Sequence, residues 1–109
     1  MTLPDIKAIH NGLSVPAYHY GAGSAKAPYV VWAEDGEGAS GHADNRKTTR
    51  IIAGSTDYFT NTADYAVVSE IEAAFISSEL AWTLNSIQYE DTSGLLHYEW
   101  RWEAAFWQK

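Results

Sequence analysis

The residues that could bind a metal ion lie far apart along the sequence. The four histidines, His10, His19, His42 and His97, fall on different predicted elements, so no two of them have the spacing of ligands on one helix or hairpin. His42 and Asp44 are close enough to share a divalent ion, but two ligands leave a tetrahedral site half empty. We therefore expect no metal site, and a partly exposed helix or sheet position for each histidine.

Nucleophile, nucleotide and calcium patterns are incomplete as well. The chain contains no cysteine and no Gly-x-Ser-x-Gly turn. Gly21-x-Gly23 resembles the start of a dinucleotide loop, but a strand follows where that loop needs a helix. A calcium loop beginning at Asp35 would need Gly at its sixth position and Glu at its twelfth, where Ser40 and Arg46 stand. The sequence predicts neither an enzyme nor a bound cofactor.

Composition predicts one folded domain with an acidic surface. The 109 residues, of which 46% are hydrophobic and 14% aromatic, suffice for one core, so we expect a single domain over residues 1–109. The net charge is −7, and residues 51–109 carry nine acidic and two basic side chains. Such a surface repels phosphate backbones and anionic membranes. The first residues lack a basic segment followed by an apolar one, so we expect the chain to start in the cytoplasm.

In the first half of the chain, hydrophobic spacing predicts a short helix, two strands and a long loop. The helix covers residues 4–13, with Gly12 as a stop. Residues 15–20 alternate as an edge strand, and residues 29–33 are apolar on both faces, as in a central strand that is covered on both sides. Residues 34–45 contain three glycines and no large aliphatic side chain. They are expected to form a mobile, functional loop.

The second half predicts a strand, the principal helix and a hairpin. The strand over residues 47–53 continues to residue 59 past a bulge at Gly54. Asn61, with Asp64 three residues later, forms an N-cap signature. An apolar stripe follows at helical spacing, namely Val67, Val68, Ile71, Ala74 and Phe75. Strands over residues 82–90 and 95–104 form the hairpin. The expected fold is α+β, with a mainly antiparallel sheet of about five strands, one principal helix and a short N-terminal helix.

Two features indicate that part of this surface is covered by another copy or another protein. The strand over residues 29–33 needs a layer on each side, but the sequence offers only one strongly amphipathic helix. Phe106 and Trp107 place large rings just before the terminus, where free ends usually fray. Folding of these rings onto the chain's own core is equally expected.

Opposite charges are grouped in consecutive segments. The acidic group is Glu34, Asp35, Glu37 and Asp44, and the basic group is Arg46, Lys47 and Arg50. If the two groups lie at opposite edges, a copy docked head to tail brings one group against the other, as contacts within a ring require. A solvated loop followed by an ordinary surface strand accounts for the same charges equally well. Glu99, Arg101 and Glu103 similarly indicate a charge ladder on one strand face rather than a catalytic carboxylate pair.

Four short segments, none of them a catalytic signature, follow one another in a recognisable order. They are Leu13-Ser14-Val15-Pro16-Ala17-Tyr18, Ala27-Pro28-Tyr29-Val30-Val31-Trp32, Ala43-Asp44-Asn45-Arg46, and Thr56-Asp57-Tyr58 before an acidic helix. With this order the chain resembles the prophage tail terminator proteins of long-tailed phages over almost its whole length. The Ala-Gly-Ser at residues 53–55 and the Trp-rich C-terminus depart from the family pattern.

This resemblance implies a small α+β protein that assembles into a ring, typically a hexamer, at the head-proximal end of the tail tube. It implies contacts with the tail tube protein and the head connector, and a place in the virion after assembly in the host cytoplasm. DNA would pass through the lumen without specific binding. Because like charges keep the phosphate backbone off an acidic wall, we expect the carboxylates of Glu34, Asp35 and Glu37 to face the pore or the next ring.

Two other classes of function remain open. An acidic domain that mimics DNA would stay monomeric alone and bind a basic protein in a salt-sensitive complex. A small-ligand binding domain or an enzyme would need a pocket with convergent polar groups, for which His19, His97 and Tyr98 are the candidates.

Overall fold

Five strands and two helices form the part of the chain that the structure describes, residues 1–38, 49–63 and 65–107 of a computed structural model. The elements are α1 (Leu3–Asn11), β1 (Ala17–His19), β2 (Tyr29–Glu37), β3 (Thr49–Thr60), α2 (Ala66–Ser77), β4 (Ala81–Glu90) and β5 (Leu95–Trp107). The strands lie in the order β1-β2-β3-β5-β4. β1 is parallel to β2, and the other neighbouring pairs are antiparallel. The α+β prediction is confirmed, and the sheet is mostly antiparallel with one parallel pair.

The short N-terminal helix is set by the chemistry of its first turn. The Asp5 carboxylate accepts hydrogen bonds from the Thr2 backbone N–H, at 2.8 Å, and from the Thr2 hydroxyl, at 3.0 Å. These bonds hold the chain at the helix start and lower the pKa of Asp5. The helix ends at Asn11 and is followed by Gly12, as predicted. Its buried side chains are Ile6 and His10, one turn apart on the face that meets the sheet.

The core lies on one face of the sheet, where both described helices pack. Alternate residues of the three central strands point into it, and α2 adds an apolar stripe. The buried residues include Val30, Trp32, Thr56, Tyr58, Val68, Ile71, Phe75, Tyr98, Trp100, Trp102 and Ala104. The predicted apolar face of the last strand and the predicted stripe of the principal helix are both confirmed by this arrangement.

The predicted loop over residues 34–45 is wrong for its first part. Glu34–Glu37 continue β2, where Gly36 pairs with Ala53 and Glu37 pairs with Ile52 of β3. The ladder to β3 supplies backbone hydrogen bonds, which outweigh the low strand propensity of glycine and carboxylates. The bulge also lies on β2, between Glu34 and Gly36, and not at Gly54. Residues 39–48 lie outside the described residues.

Gly54 sits in a regular part of β3 because the site has no room for a side chain. A Cβ atom there would lie 2.5 Å from Cη2 of Trp102 and closer still to the carbonyl oxygen of Ala33. Trp102 is directly opposite on β5, and its indole crosses over the glycine. The absence of a side chain therefore lets a large ring fill the core at this point.

The principal helix begins later than the sequence predicts. Asn61 lies in a bend in which the Thr60 hydroxyl accepts a hydrogen bond from the Thr62 backbone N–H, and α2 starts at Ala66 after Tyr65. Asp64, the predicted capping partner, lies outside the described residues. The hairpin prediction is confirmed, with Gly94 at φ +72° in the turn between β4 and β5. Neither described helix has the length and hydropathy needed to cross a bilayer.

Candidate interaction surface

Both described helices cover the same side of the sheet, so the opposite side forms a surface that we call the open face. Residues paired across the strands share it, for example Val31 with Asp57 and Glu99, and Ala33 with Ser55. Its members on the three central strands are half-buried by their strand neighbours: Tyr29, Val31, Ala33, Ser55, Asp57, Phe59, His97, Glu99, Arg101 and Glu103. The sequence predicted a cover on both sides of β2, and the described residues provide it on one.

One end of the open face carries a row of stacked rings. Tyr29 lies 5.1 Å from Phe59, and Phe59 lies 4.2 Å from the His97 imidazole, measured between ring centres. Tyr18 of β1 packs edge-on against Tyr29 at 6.3 Å. The register pairs Tyr29, Phe59 and His97 across β2, β3 and β5, and Tyr18 lies diagonally to Tyr29 because its own partner on β2 is Val31. A row of aromatic side chains that is partly exposed to solvent is typical of a protein–protein contact surface.

His97 links this row to two carboxylates. Its Nε2 lies 2.7 Å from Oδ1 of Asp57, and its Nδ1 lies 3.4 Å from Oε2 of Glu90 on the neighbouring strand. Burial raises the pKa of Asp57, and the hydrogen bond to His97 opposes that rise. Within the described residues, no three histidine, aspartate or glutamate side chains are close enough together to hold a metal ion. His97, Asp57 and Glu90 thus form one charged cluster across three strands.

Arg101 finds its partner across the sheet rather than along its own strand. Its two terminal nitrogens lie 2.7 and 3.1 Å from the two carboxylate oxygens of Asp35 on the β2 bulge. Hydrogen bonding to Asp35 raises the pKa of Arg101. Glu99 instead accepts a hydrogen bond from the Asn85 side chain at 2.9 Å. The bulge therefore turns the Asp35 side chain towards Arg101. As a result, Arg101 pairs with a carboxylate from β2 and not with Glu99 or Glu103 of the predicted charge ladder.

The structure separates the carboxylates that the sequence grouped. Glu34 bonds His19 at 2.7 Å on the helix side of the sheet, whereas Asp35 faces Arg101 on the open face. Burial alone would raise the pKa of Glu34, but hydrogen bonds from Tyr20 and His19 lower it overall. Acidic and basic residues therefore meet inside one chain.

The two charged groups, which the sequence allowed to lie either at opposite edges or on an ordinary surface loop and strand, contact each other in the described part of the chain. Arg50 of the basic group lies 3.3 Å from Glu37 of the acidic group, so these two are adjacent and not at opposite edges. Asp44, Asn45, Arg46 and Lys47 lie outside the described residues. The backbone of β5 pairs Phe106 with Arg50 and Trp107 with Thr49, so both positions belong to the sheet rather than to a free end.

A four-ring stack marks the β1 end of the sheet on its helix side. Tyr20 lies 4.3 Å from His19, His19 lies 3.9 Å from Trp32, and Trp32 lies 4.9 Å from His10. Tyr20 has φ +74°, in the left-handed region that a tyrosine rarely adopts. The stack borders a cavity of about 340 Å³, which we call the β1 cavity, lined by Leu3, Pro4, Lys7, His19 and Trp32.

His10 is fully buried, so the prediction of a partly exposed position is wrong for it. Its Nδ1 lies 2.8 Å from the carbonyl oxygen of Ile6, and its Nε2 lies 2.7 Å from the hydroxyl of Thr56. Trp102 donates its indole N–H to the same hydroxyl at 2.9 Å. The only consistent direction is Trp102 to Thr56, Thr56 to His10, and His10 to Ile6. Burial lowers the pKa of His10 to about 4, so the ring stays neutral.

The opposite edge of the sheet is formed by β4, whose outer side has no strand partner in the described part of the chain. Ile87 and Tyr89 lie 52% and 63% exposed on this strand, paired with Tyr98 and Leu96 of the core face. The strand contains no lysine or proline, the residues that usually protect an edge. Sequence analysis missed this edge, although the alternation of Ile87 and Tyr89 with polar residues signals a strand with one apolar side.

The candidate ligand pocket of the sequence analysis is not assembled. His97 and Tyr98 are consecutive in β5 and point to opposite faces of the sheet, and His19 lies at the far edge on β1. Comparison with known proteins gives no further assignment, since no protein-family model and no curated protein matches this sequence. The open face, the β1 cavity and the β4 edge are the candidate interaction surfaces of the described residues.

Proposed function

We propose that this chain is an architectural subunit that assembles head to tail with copies of itself into a ring. In this proposal the ring closes the head-proximal end of a phage tail tube, as in the tail terminators that the sequence resembles. The observation that carries the proposal is the one-sided sheet, in which both described helices cover one face and leave an aromatic and charged face open.

The two edges of the sheet support the head-to-tail arrangement. A contact that closes a ring joins two different surfaces of the same protein, whereas a two-fold dimer joins one surface to itself. The β1 edge offers a cavity beside a short strand, and the β4 edge offers a ten-residue strand with exposed apolar side chains. The chain therefore carries two unlike surfaces on opposite sides, which is what a heterologous contact needs.

The charge distribution supports a role beside DNA. Residues 51–100 contain no lysine or arginine, so the charged side chains of α2 and the β4–β5 hairpin are mainly acidic, with Arg101 as the exception. An acidic ring would let a phosphate backbone pass without binding it. Glu34, Asp35 and Glu37 each have a partner within the chain. Their position at a pore stays a prediction, and reversing their charge would also break three internal contacts.

Size-exclusion chromatography with light scattering, followed by negative-stain imaging with and without purified tail tubes, tests the proposal. We expect annular particles with a constant subunit number that bind to one end of the tubes. A protein that stays monomeric at high concentration and leaves tube ends bare would refute it. A monomer that instead forms a salt-sensitive complex with a basic protein would favour an acidic inhibitor.

A further inference from the structure

The two edges of the sheet differ: the β1 edge has a cavity beside Lys7, and the β4 edge has an exposed tyrosine beside acidic residues. We propose that Tyr89 on the β4 edge of one copy inserts into the β1 cavity of the next copy, with the acidic end of the hairpin facing Lys7. This inference rests on the proposed head-to-tail assembly and names the surfaces that would carry it.

The inserting group is a rigid apolar projection. Tyr89 and Ile87 point to the same side of β4, and both belong to the core face of the sheet because they pair with Leu96 and Tyr98. More than half of each side chain nevertheless remains in water. A tyrosine on a strand loses little conformational freedom on binding, which makes it an effective anchor in interfaces.

The receiving cavity is preformed on the chain's other edge. Its rings are held in place, since His19 is stacked on Trp32 at 3.9 Å and bonded to Glu34 at 2.7 Å. Leu3 and Pro4 of the first helical turn form the apolar wall of the cavity, whose volume is about 340 Å³. The faces of the His19 and Trp32 rings are already stacked within the chain. A tyrosine ring entering here would therefore pack against Leu3 and Pro4 and the edges of these rings, with its hydroxyl towards Lys7.

Charge complementarity selects a second copy as the occupant. Lys7 is exposed and has no ion-pair partner among the described residues. The hairpin beside Tyr89 carries Glu90 and Asp91, in a stretch of the chain that has no lysine or arginine. A two-fold contact centred on Tyr89 would bring two acidic ends together, whereas the head-to-tail contact brings an acidic end to a lysine.

No chain can make this contact with itself. β1 and β4 are separated by four strand spacings, which is about 19 Å at roughly 4.8 Å each. Two cysteines can be bridged only when their Cα atoms lie within about 7 Å. A disulfide between the two edges must therefore join different copies, and the chain has no native cysteine to interfere.

Disulfide cross-linking of Leu3→Cys and Tyr89→Cys variants tests the inference. In the double variant we expect a ladder of linked species that ends at the ring size. Mixing the two single variants should give linked dimers and nothing larger. The inference is overturned if Tyr89→Cys alone cross-links as efficiently as the mixture, or if a protein shown to be oligomeric by light scattering gives no ladder. A protein that is monomeric throughout refutes the ring proposal as well.

Charge and shape variants provide the second arm. Lys7→Glu, Asp91→Lys and Tyr89→Thr should each weaken self-association on the order of tenfold or more, and combining Lys7→Glu with Asp91→Lys should restore part of it. Ile76→Ala is the matched control, because Ile76 is 65% exposed but lies on α2. Equal weakening by the control, or no restoration in the charge-swapped double variant, contradicts the proposed contact.

Discussion

We predict that the hydroxyl of Thr56 stabilises the core, because it forms hydrogen bonds with two buried aromatic side chains. It accepts a hydrogen bond from the Trp102 indole at 2.9 Å and donates one to Nε2 of His10 at 2.7 Å. All three side chains are buried. Thr56→Val keeps the shape of the side chain and removes only this bridge, so it isolates the hydrogen bonds from the packing.

The expected loss of stability follows from the number of buried polar groups that the substitution leaves without a hydrogen-bond partner. In Thr56→Val the indole N–H and the imidazole nitrogen both lose their partners in a site without water access, and each unsatisfied group costs about 1–3 kcal/mol. The free energy of unfolding should therefore fall by about 2–6 kcal/mol. A domain of this length has a total stability of roughly 5–15 kcal/mol. The variant should thus lose a large share of its stability while retaining its core volume.

Urea unfolding at pH 7, followed by tryptophan fluorescence, measures this loss through the transition midpoint and its slope. Thr56→Ser is the control, because it retains the hydroxyl and removes one methyl group, at about 1 kcal/mol. If Thr56→Val destabilises the protein no more than Thr56→Ser does, the hydroxyl does not bridge His10 and Trp102, and the direction assigned to the network is wrong.

Three further predictions concern single groups. Because the pKa of His10 falls from 6.5 unfolded to about 4 folded, only the unfolded chain takes up this proton between these pH values. Stability should therefore drop by about 3 kcal/mol as the pH falls from 6.5 to 4, and His10→Gln should remove that part of the slope measured by urea unfolding. Gly54→Ala should destabilise the protein by about 1–3 kcal/mol, because the added methyl group overpacks against Trp102, and the melting temperature should fall accordingly. An equal loss in Gly21→Ala, where the glycine is exposed, would contradict this explanation. Arg101→Ala should cost less than about 1 kcal/mol because the Asp35 pair is screened by water; a larger loss in the same assay would show that the pair is structural.

The parts of the fold that depend on local pattern were predictable. Tyr98, Trp100, Trp102 and Ala104 alternate with charged residues, and a two-residue period places them on one face whatever the partner strand is. The stripe of α2 follows from its three- and four-residue spacing in the same way. For these elements the sequence itself contains the periodicity that the core requires.

The parts that depend on distant partners were not predictable. Glu34–Glu37 have a loop-like composition and became a strand because Ile52 and Ala53 lie alongside them. His10 looks like a surface residue of a short helix, but it is buried because its hydrogen-bond partner Thr56 lies 46 positions away. In both cases a contact made only in the folded chain outweighs local propensity.

The candidate surfaces also depend partly on local pattern and partly on distant contacts. Ile87 and Tyr89 could be assigned to a strand from their alternation, but their exposure follows from the place of β4 at the edge of the sheet. The β1 cavity combines the first turn of α1 with rings from β1 and β2, so no single segment of the sequence contains it. Strand order, which sets both, is a property of the whole topology.

If lateral contacts use the two edges, the open face acquires a defined role in the ring. The described helices pack on the core at the other side of the sheet, and the β1 and β4 edges would contact neighbouring copies. The row of Tyr29, Phe59 and His97 would then stay accessible in every subunit, repeated at a constant spacing around the ring. If the ring binds a tail tube and a head connector as proposed, a surface repeated in every subunit would provide one contact per subunit. In this arrangement the open face, not the edges, is the surface that would join the ring to the rest of the tail.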